Sequence, residues 1–208
     1  MKKILIIIIL GIAAYAGFQY ITTTNTEEVS EVQDVQREEV SDIEFQVIPE
    51  NAYIVEPQSS SIVWEGKKPG ANHVGTINIS SGYLTEDYQG EFIIDMDSVS
   101  SEDGQRLINH LKGEDFFDVN QYPYARLVVS EFTQGVLQGT LAVRGITKDI
   151  EIPAIITREE DTLSIISDHS IDRTDYGITF RSGSFFENLG DSLINDLVDL
   201  NIEVSAQR

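Results

Sequence analysis

The stretch Val198-Asp199-Leu200-Asn201-Ile202-Glu203-Val204-Ser205-Ala206 decides the fold class. Val198, Leu200, Ile202, Val204 and Ala206 fall on one face of an extended chain, and Asp199, Asn201, Glu203 and Ser205 fall on the other. Successive strand side chains point to opposite sides of a sheet. Strict alternation therefore marks a strand with one face on a core and the other in water, the habit of antiparallel sheets.

The same period recurs upstream. Phe92, Ile94 and Met96 alternate with Glu91, Ile93, Asp95 and Asp97, and Ile77, Ile79 and Ser81 with Thr76, Asn78, Ser80 and Gly82. Leu127 and Val129 alternate with Arg126, Val128 and Ser130. Leu137, Gly139, Leu141 and Val143 alternate with Gln138, Thr140, Ala142 and Arg144. Ile150, Ile152 and residues 163–167 continue the series, and Ser81-Gly82, Gln89-Gly90 and Gln134-Gly135 supply turns. About eight such strands predict an all-β sandwich or closed barrel.

One stretch departs from the pattern. Residues 101–111 read as a helix, with Ser101 as cap, Glu102 and Asp103 at its positive end, Leu107, Ile108 and Leu111 as an apolar stripe, and Gly113 as the stop. Phe116 and Phe117 follow, readable as a plug under the helix or as a gate. Pro123 stands at the entrance to the next strand, where a missing N–H does little harm.

Ahead of the strands, Lys2 and Lys3 precede an apolar run over residues 4–14. This is the layout of an export signal, with Ala14-Tyr15-Ala16 as a cleavage site, or of an uncut anchor over residues 1–21. Either places the remainder outside the cytoplasm, in the periplasm or an equivalent compartment, with the cytoplasmic membrane as a partner if the segment stays. Residues 22–50 carry nine acidic residues against Arg37 and read as an acidic linker; residues 51–208 form the folded domain.

Hydrophobic residues make up 41% of the 208, enough for a core. With 35 Asp and Glu against 14 Lys and Arg, the formal charge is −21, which argues against nucleic acid as a partner. The absence of cysteine excludes disulfides, thiolate metal sites, a cysteine nucleophile and a lipoprotein anchor. His73, His110 and His169 have no metal-ligand spacing, and no serine sits in a nucleophile elbow, so neither a metal site nor catalysis is expected.

Several blocks in fixed order resemble the YceI-like family, described as polyisoprenoid-binding and lipocalin-like. Tyr53-Ile54-Val55-Glu56 and the strand ending at Trp64 resemble its opening. Arg106-Leu107-Ile108-Asn109-His110-Leu111-Lys112, Asp115-Phe116-Phe117-Asp118-Val119 and Tyr122-Pro123 resemble its central motif. Gly139-Thr140-Leu141, Gly145-Ile146-Thr147-Lys148 and Pro153 fit the next block, and Ile171-Asp172-Arg173-Thr174-Asp175-Tyr176-Gly177-Ile178 the last.

The resemblance implies an extended eight-stranded antiparallel lipocalin-like barrel with a helix in one connection. It also implies an elongated cavity for a polyisoprenoid or isoprenoid-quinone-type lipid, with no other cofactor. Trp64, Ile77, Ile79, Phe92, Ile94, Leu127, Val129, Leu141, Val143, Leu200 and Ile202 would line the tube, with Phe116 and Phe117 beside the helix. Periodicity alone favours a solid core of the same residues, and only the resemblance turns the reading to a tube. His110, Asp172, Arg173 and Tyr176 form a polar set, readable as a headgroup site or as a structural network in which Arg173 pairs with a neighbouring carboxylate. A filled barrel serving adhesion is the alternative to a lipid carrier. The sequence leaves the oligomeric state open, a homodimer included.

Overall fold

The computed structural model describes residues 48–208. The export segment at 1–21 and nearly all of the acidic stretch at 22–50 lie outside the described residues.

Ten strands form one antiparallel sheet: β1 (Tyr53–Val55), β2 (Ser61–Lys68), β3 (Ala71–Leu84), β4 (Gly90–Ser101), β5 (Tyr124–Thr133), β6 (Val136–Val143), β7 (Ile146–Pro153), β8 (Ile155–Arg158), β9 (Thr162–Asp172) and β10 (Leu197–Gln207). The order is β7-β6-β5-β4-β3-β1-β10-β9-β8, and β2 also lies between β10 and β3. The expected count of eight and the observed ten are compatible. β1 and β2 share both neighbours, so they are two halves of one stave interrupted at Pro57, while β7 and β8 are halves of another, broken at Ala154. A hydrogen bond from Ser167 Oγ on β9 to the Pro153 carbonyl (2.6 Å) ties the two ends of the sheet together. The 14 residues of β3 make it about 45 Å long, hence an elongated barrel.

Local chemistry sets the turns. Gln134-Gly135 and Arg144-Gly145 are two-residue hairpin loops with φ of 51° and 80°, and 53° and 74°, the left-handed pair that matches the twist of the flanking strands. β3 departs from the expected alternation. A bulge between Ile79 and Ser81 inserts one residue, so the buried face passes from Ile77 and Ile79 to Gly82 and Leu84, and Ser81 leaves it. On β4 the supposedly wet face is also buried at Glu91 and Ile93, where Glu91 accepts a hydrogen bond from Arg126 Nε at 2.7 Å.

The one described α-helix, α1 (Gln105–Lys112), starts four residues later than predicted, after Gly104 at φ 98°. Ser101 ends β4 instead of capping a helix, because its hydroxyl donates to the Val74 carbonyl (2.7 Å) and accepts from the Asp103 N–H (3.2 Å). Gly113 closes the helix, as expected.

Buried side chains form two clusters inside the barrel. One centres on Tyr53, Leu84, Val129, Leu163 and Ala206; the other gathers Trp64, Met96, Leu111, Phe116, Tyr176 and Ile178 at the helix end.

Candidate ligand-binding site

The inward residues of β2 and β10 oppose each other in register, Ile202 against Ile62 and Leu200 against Trp64; on β4, β5 and β6, Phe92, Leu127 and Leu141 lie side by side. The walls do not meet. They enclose a cavity of about 410 Å³ that touches both apolar clusters. Trp64, Ile77, Ile79, Phe92, Ile94, Phe116, Phe117, Leu127, Leu141, Val143, Leu200 and Ile202 all lie on its wall. Val129 does not. It sits opposite Gly90 and Gly139 and belongs to the buried cluster around Tyr53 and Leu84.

Alternation marks further wall residues, Val198 and Val204 on β10 and Ile152 and Ile165 on β7 and β9. Leu107 reaches the wall from the apolar stripe of α1, while Ile178, Phe180 and Ile194, in the loop between β9 and β10, gave no periodic signal. Phe116 is buried, and His110 stands edge-on to both Phe116 (5.0 Å between centroids) and Phe180 (4.8 Å). His110 Nε2 also lies 3.3 Å from Asp115 Oδ2, so the helix end of the tube is closed by an aromatic cluster with a polar outer edge.

The polar set divides differently from the expectation. Arg173, 4% exposed, reaches the cavity wall, yet four of its N–H groups are taken by the chain: Nε donates to the Asn195 carbonyl (3.0 Å), Nη1 to Ile178 (2.6 Å), and Nη2 to Ile194 (3.0 Å) and Asp196 Oδ1 (3.2 Å). Its hydrogen-bonded carboxylate is therefore Asp196, not the neighbouring Asp172. Asp172 Oδ1 is turned to the Thr174 N–H (2.8 Å) and hydroxyl (2.7 Å), capping the 3-10 turn Arg173–Tyr176. Asp172 is also absent from the cavity wall.

Burial lowers the Arg173 pKa, a shift that Asp196 and then Asp172 oppose. At Asp196 burial pushes the carboxyl up, but hydrogen bonds from Ser184 and Ser182 and the Arg173 charge bring it below its ordinary value. Burial, then the Asp175 charge, raises the Tyr176 phenol, which also faces the cavity. Arg173 thus holds the β9–β10 loop against the tube. Arg144 does the same from β6's end, donating to the carbonyls of Gly177 (2.9 Å) and Glu114 (2.6 Å).

Solvent reaches the cavity's polar residues at one rim, Lys67, Lys68, His73, Arg181 and Asp191. Lys67 pairs with Asp199, and His73 Nδ1 lies 2.8 Å from Asp103 Oδ2, a contact that lowers the Asp103 carboxyl. Among the described residues no three His, Asp or Glu side chains converge to hold a metal ion, and no helix is long and apolar enough to cross a membrane.

The profile of the YceI-like domain matches residues 53–206, well over half of the chain. The chain belongs to the YceI-like domain family. Solved structures share its fold. BcnA of Burkholderia cenocepacia is 17% identical with a TM-score of 0.58, over 74% of this chain and 99% of that one. A polyisoprenoid binding domain from Saccharophagus degradans, described as implicated in plant cell wall breakdown, is 17% identical with a TM-score of 0.60, over 74% and 97%. No curated protein matches the chain. The match opens at Tyr53, the first residue of β1, and closes within the alternating strand β10.

Proposed function

We propose that this YceI-like domain binds a long apolar isoprenoid-type lipid in the barrel interior, and carries or sequesters it outside the cytoplasm. The observation that carries this reading is the cavity. At about 410 Å³ it falls in the range of ligand pockets, roughly 300–1,000 Å³, and its inner wall is almost wholly hydrocarbon. Such a wall suits a flexible apolar chain, which gains about 0.8 kcal/mol per buried CH₂ before ordering costs are subtracted. The Saccharophagus degradans relative, described as polyisoprenoid-binding, supports the same ligand class. The export signature of Lys2, Lys3 and residues 4–14 supports the compartment.

Binding rather than catalysis fits the polar groups. The guanidinium of Arg173 is held by the chain, and the other charged side chains of the cavity stand at the solvated rim. The filled-barrel alternative would need the inward side chains to meet across the lumen, where the cavity separates them.

Native mass spectrometry of the full chain purified from its own membrane tests the reading, with Ile79→Trp and Val143→Trp alongside. Both positions are buried and on the cavity wall. A solid core would resist the added bulk at a cost of about 1–3 kcal/mol, whereas a tube accepts it at the expense of ligand space. The expected result is an apolar lipid on the unmodified protein and two folded variants without it. Two strongly destabilised variants, with no lipid on the unmodified protein, would end the proposal.

A further inference from the structure

Two phenylalanines stand in water beside the mouth of the cavity. Phe185 and Phe186 are 58% and 50% exposed, whereas every other described phenylalanine is buried or half-buried. Adjacent large apolar side chains in solvent are unfavourable, and such patches mark contact surfaces. The turn that carries them is firmly tied. Ser182 at its base is fully buried, and its carbonyl accepts from the N–H groups of both Phe185 (3.2 Å) and Phe186 (3.0 Å). Ser184 donates through Oγ to Asp196 Oδ2 (2.6 Å) and through its N–H to Ser182 Oγ (3.2 Å). The backbone on either side is left-handed, at Arg181 (φ 52°) and Asn188 (φ 59°), which is uncommon for residues other than glycine. The polar groups of the turn are spent on the turn itself and on Asp196, and the two rings are left facing solvent.

This turn grows from the rim of the tube. The Ile194 N–H donates to the Arg181 carbonyl (2.9 Å) and closes the neck of the loop, and the Asn195 N–H donates to the Lys67 carbonyl on β2 (2.8 Å). Phe180, Arg181, Ile194 and Asn195 at the neck line the cavity, while Phe185 and Phe186 at the tip do not. A long isoprenoid chain is insoluble in water and resides in a bilayer, so it enters this mouth from one. Charge permits the contact. Lys67, Lys68 and Arg181 stand at the same rim, in a chain of formal charge −21. Asp199 holds Lys67, and Lys68 and Arg181 are the cations placed to meet lipid phosphates. Glu187 and Asp191 on the loop count against a strongly anionic surface, so the fitting bilayer is zwitterionic. If residues 1–21 stay in the membrane, residues 22–47 reach at most roughly 90 Å, twice the length of β3, and the tether lets this end turn to the bilayer.

The geometry points to a membrane-docking tip: Phe185 and Phe186 insert at the boundary of headgroups and acyl chains and seat the cavity mouth on a zwitterionic bilayer, so that the lipid passes between membrane and tube without crossing water. For its cargo this rests on the lipid-binding reading above. The size of the patch favours a bilayer over a second copy of the chain. Two half-exposed phenylalanines offer roughly 200 Å². A stable protein interface takes about 800 Å² from each partner, whereas interfacial anchoring needs only a few side chains.

The chain has no cysteine, so one introduced cysteine carries one label. The solvent-sensitive dye NBD is attached to the full chain through Glu187→Cys, beside the pair, or through Glu160→Cys, at the opposite end near Arg208 and Tyr53. Each protein is mixed with phosphatidylcholine vesicles that contain octaprenol. The dye reads only its own surroundings, so the test works whether or not residues 1–21 hold the chain to the vesicle. A blue shift and quenching by doxyl-labelled lipid are expected at position 187 and not at 160, and both should vanish in Phe185→Ser/Phe186→Ser. Octaprenol uptake, followed over time by native mass spectrometry, should be about tenfold slower in that double variant. A dye at 187 that stays in water while octaprenol is taken up overturns the docking inference alone, as does an equal response at 160. A shift that grows with protein concentration in the absence of vesicles assigns the pair to a second copy and also overturns it. If the dye responds at 187 and no octaprenol is taken up, docking stands and the lipid-binding reading falls. The response is read with both phenylalanines in place, so a poorly folded serine variant does not remove the test.

Discussion

At the far end of the barrel, Tyr53, Leu84 and Leu163 are sealed from solvent, and the cluster around them comes almost wholly from strands. At the helix end, Leu111, Phe116, Val119, Tyr176 and Ile178 come from the helix and the irregular segments after it and after β9, and close around a cavity. One end is a packed core built by alternation. The other is a lid assembled from loops held by side-chain hydrogen bonds.

The comparison yields predictions in descending order of effect. Leu84→Ala, at the packed end and 1% exposed, should destabilise by about 3 kcal/mol in urea unfolding, since the lost contacts and the new cavity both count. Leu141→Ala, half-buried on the tube wall, should cost only about 1 kcal/mol, because one side of the leucine already faces open space. Equal losses would show that the two ends are packed alike.

Arg173→Met should cost about 3 kcal/mol, as it strands the carbonyls of Ile178, Ile194 and Asn195 and the Asp196 carboxylate. Arg173→Lys should recover little, because an ammonium does not reproduce the planar fork. The loss should show as faster proteolysis between residues 178 and 196 before global unfolding. Cleavage spread evenly over the chain would show that Arg173 stabilises the whole barrel and not the lid.

The smallest effect is on pH dependence. His169 lies on β9 opposite Leu200, and burial lowers its pKa from the ordinary 6.5. The folded state therefore favours the neutral ring. Its contribution is complete above pH 6.5 and is lost as pH falls through the lowered folded value. Asp196, also lowered, acts in the same direction but only below its ordinary 3.8. The fall in Tm between pH 7.5 and 5.5 should be smaller for His169→Gln than for the unmodified protein. An equal fall would remove His169 as the cause.

What was legible in the sequence follows the same divide. Strand β10, the Gln134-Gly135 turn and twelve wall residues could be read from alternation, turn chemistry and family resemblance, because those signals are local. The bulge at Ser80 could not be read that way. Nothing in Ile79-Ser80-Ser81-Gly82 announces an extra residue, and it is β4 as a partner that sets the register. The helix start was misplaced for a similar reason, since Ser101 hydrogen-bonds to β3 rather than to the helix that follows.

The sequence by itself determined that the chain alternates into antiparallel strands with one helical interruption, because a period of two is written residue by residue, and the choice of barrel over sandwich came from the family resemblance. The alternation left open whether the inward side chains meet or stand apart, since a solid core and a lined tube share one pattern. Only the tertiary structure decided that, along with the choice of Asp196 over Asp172 for Arg173. Each depends on how far apart staves distant in the chain are held when the sheet closes, and that distance is a property of the closed barrel and of no single strand.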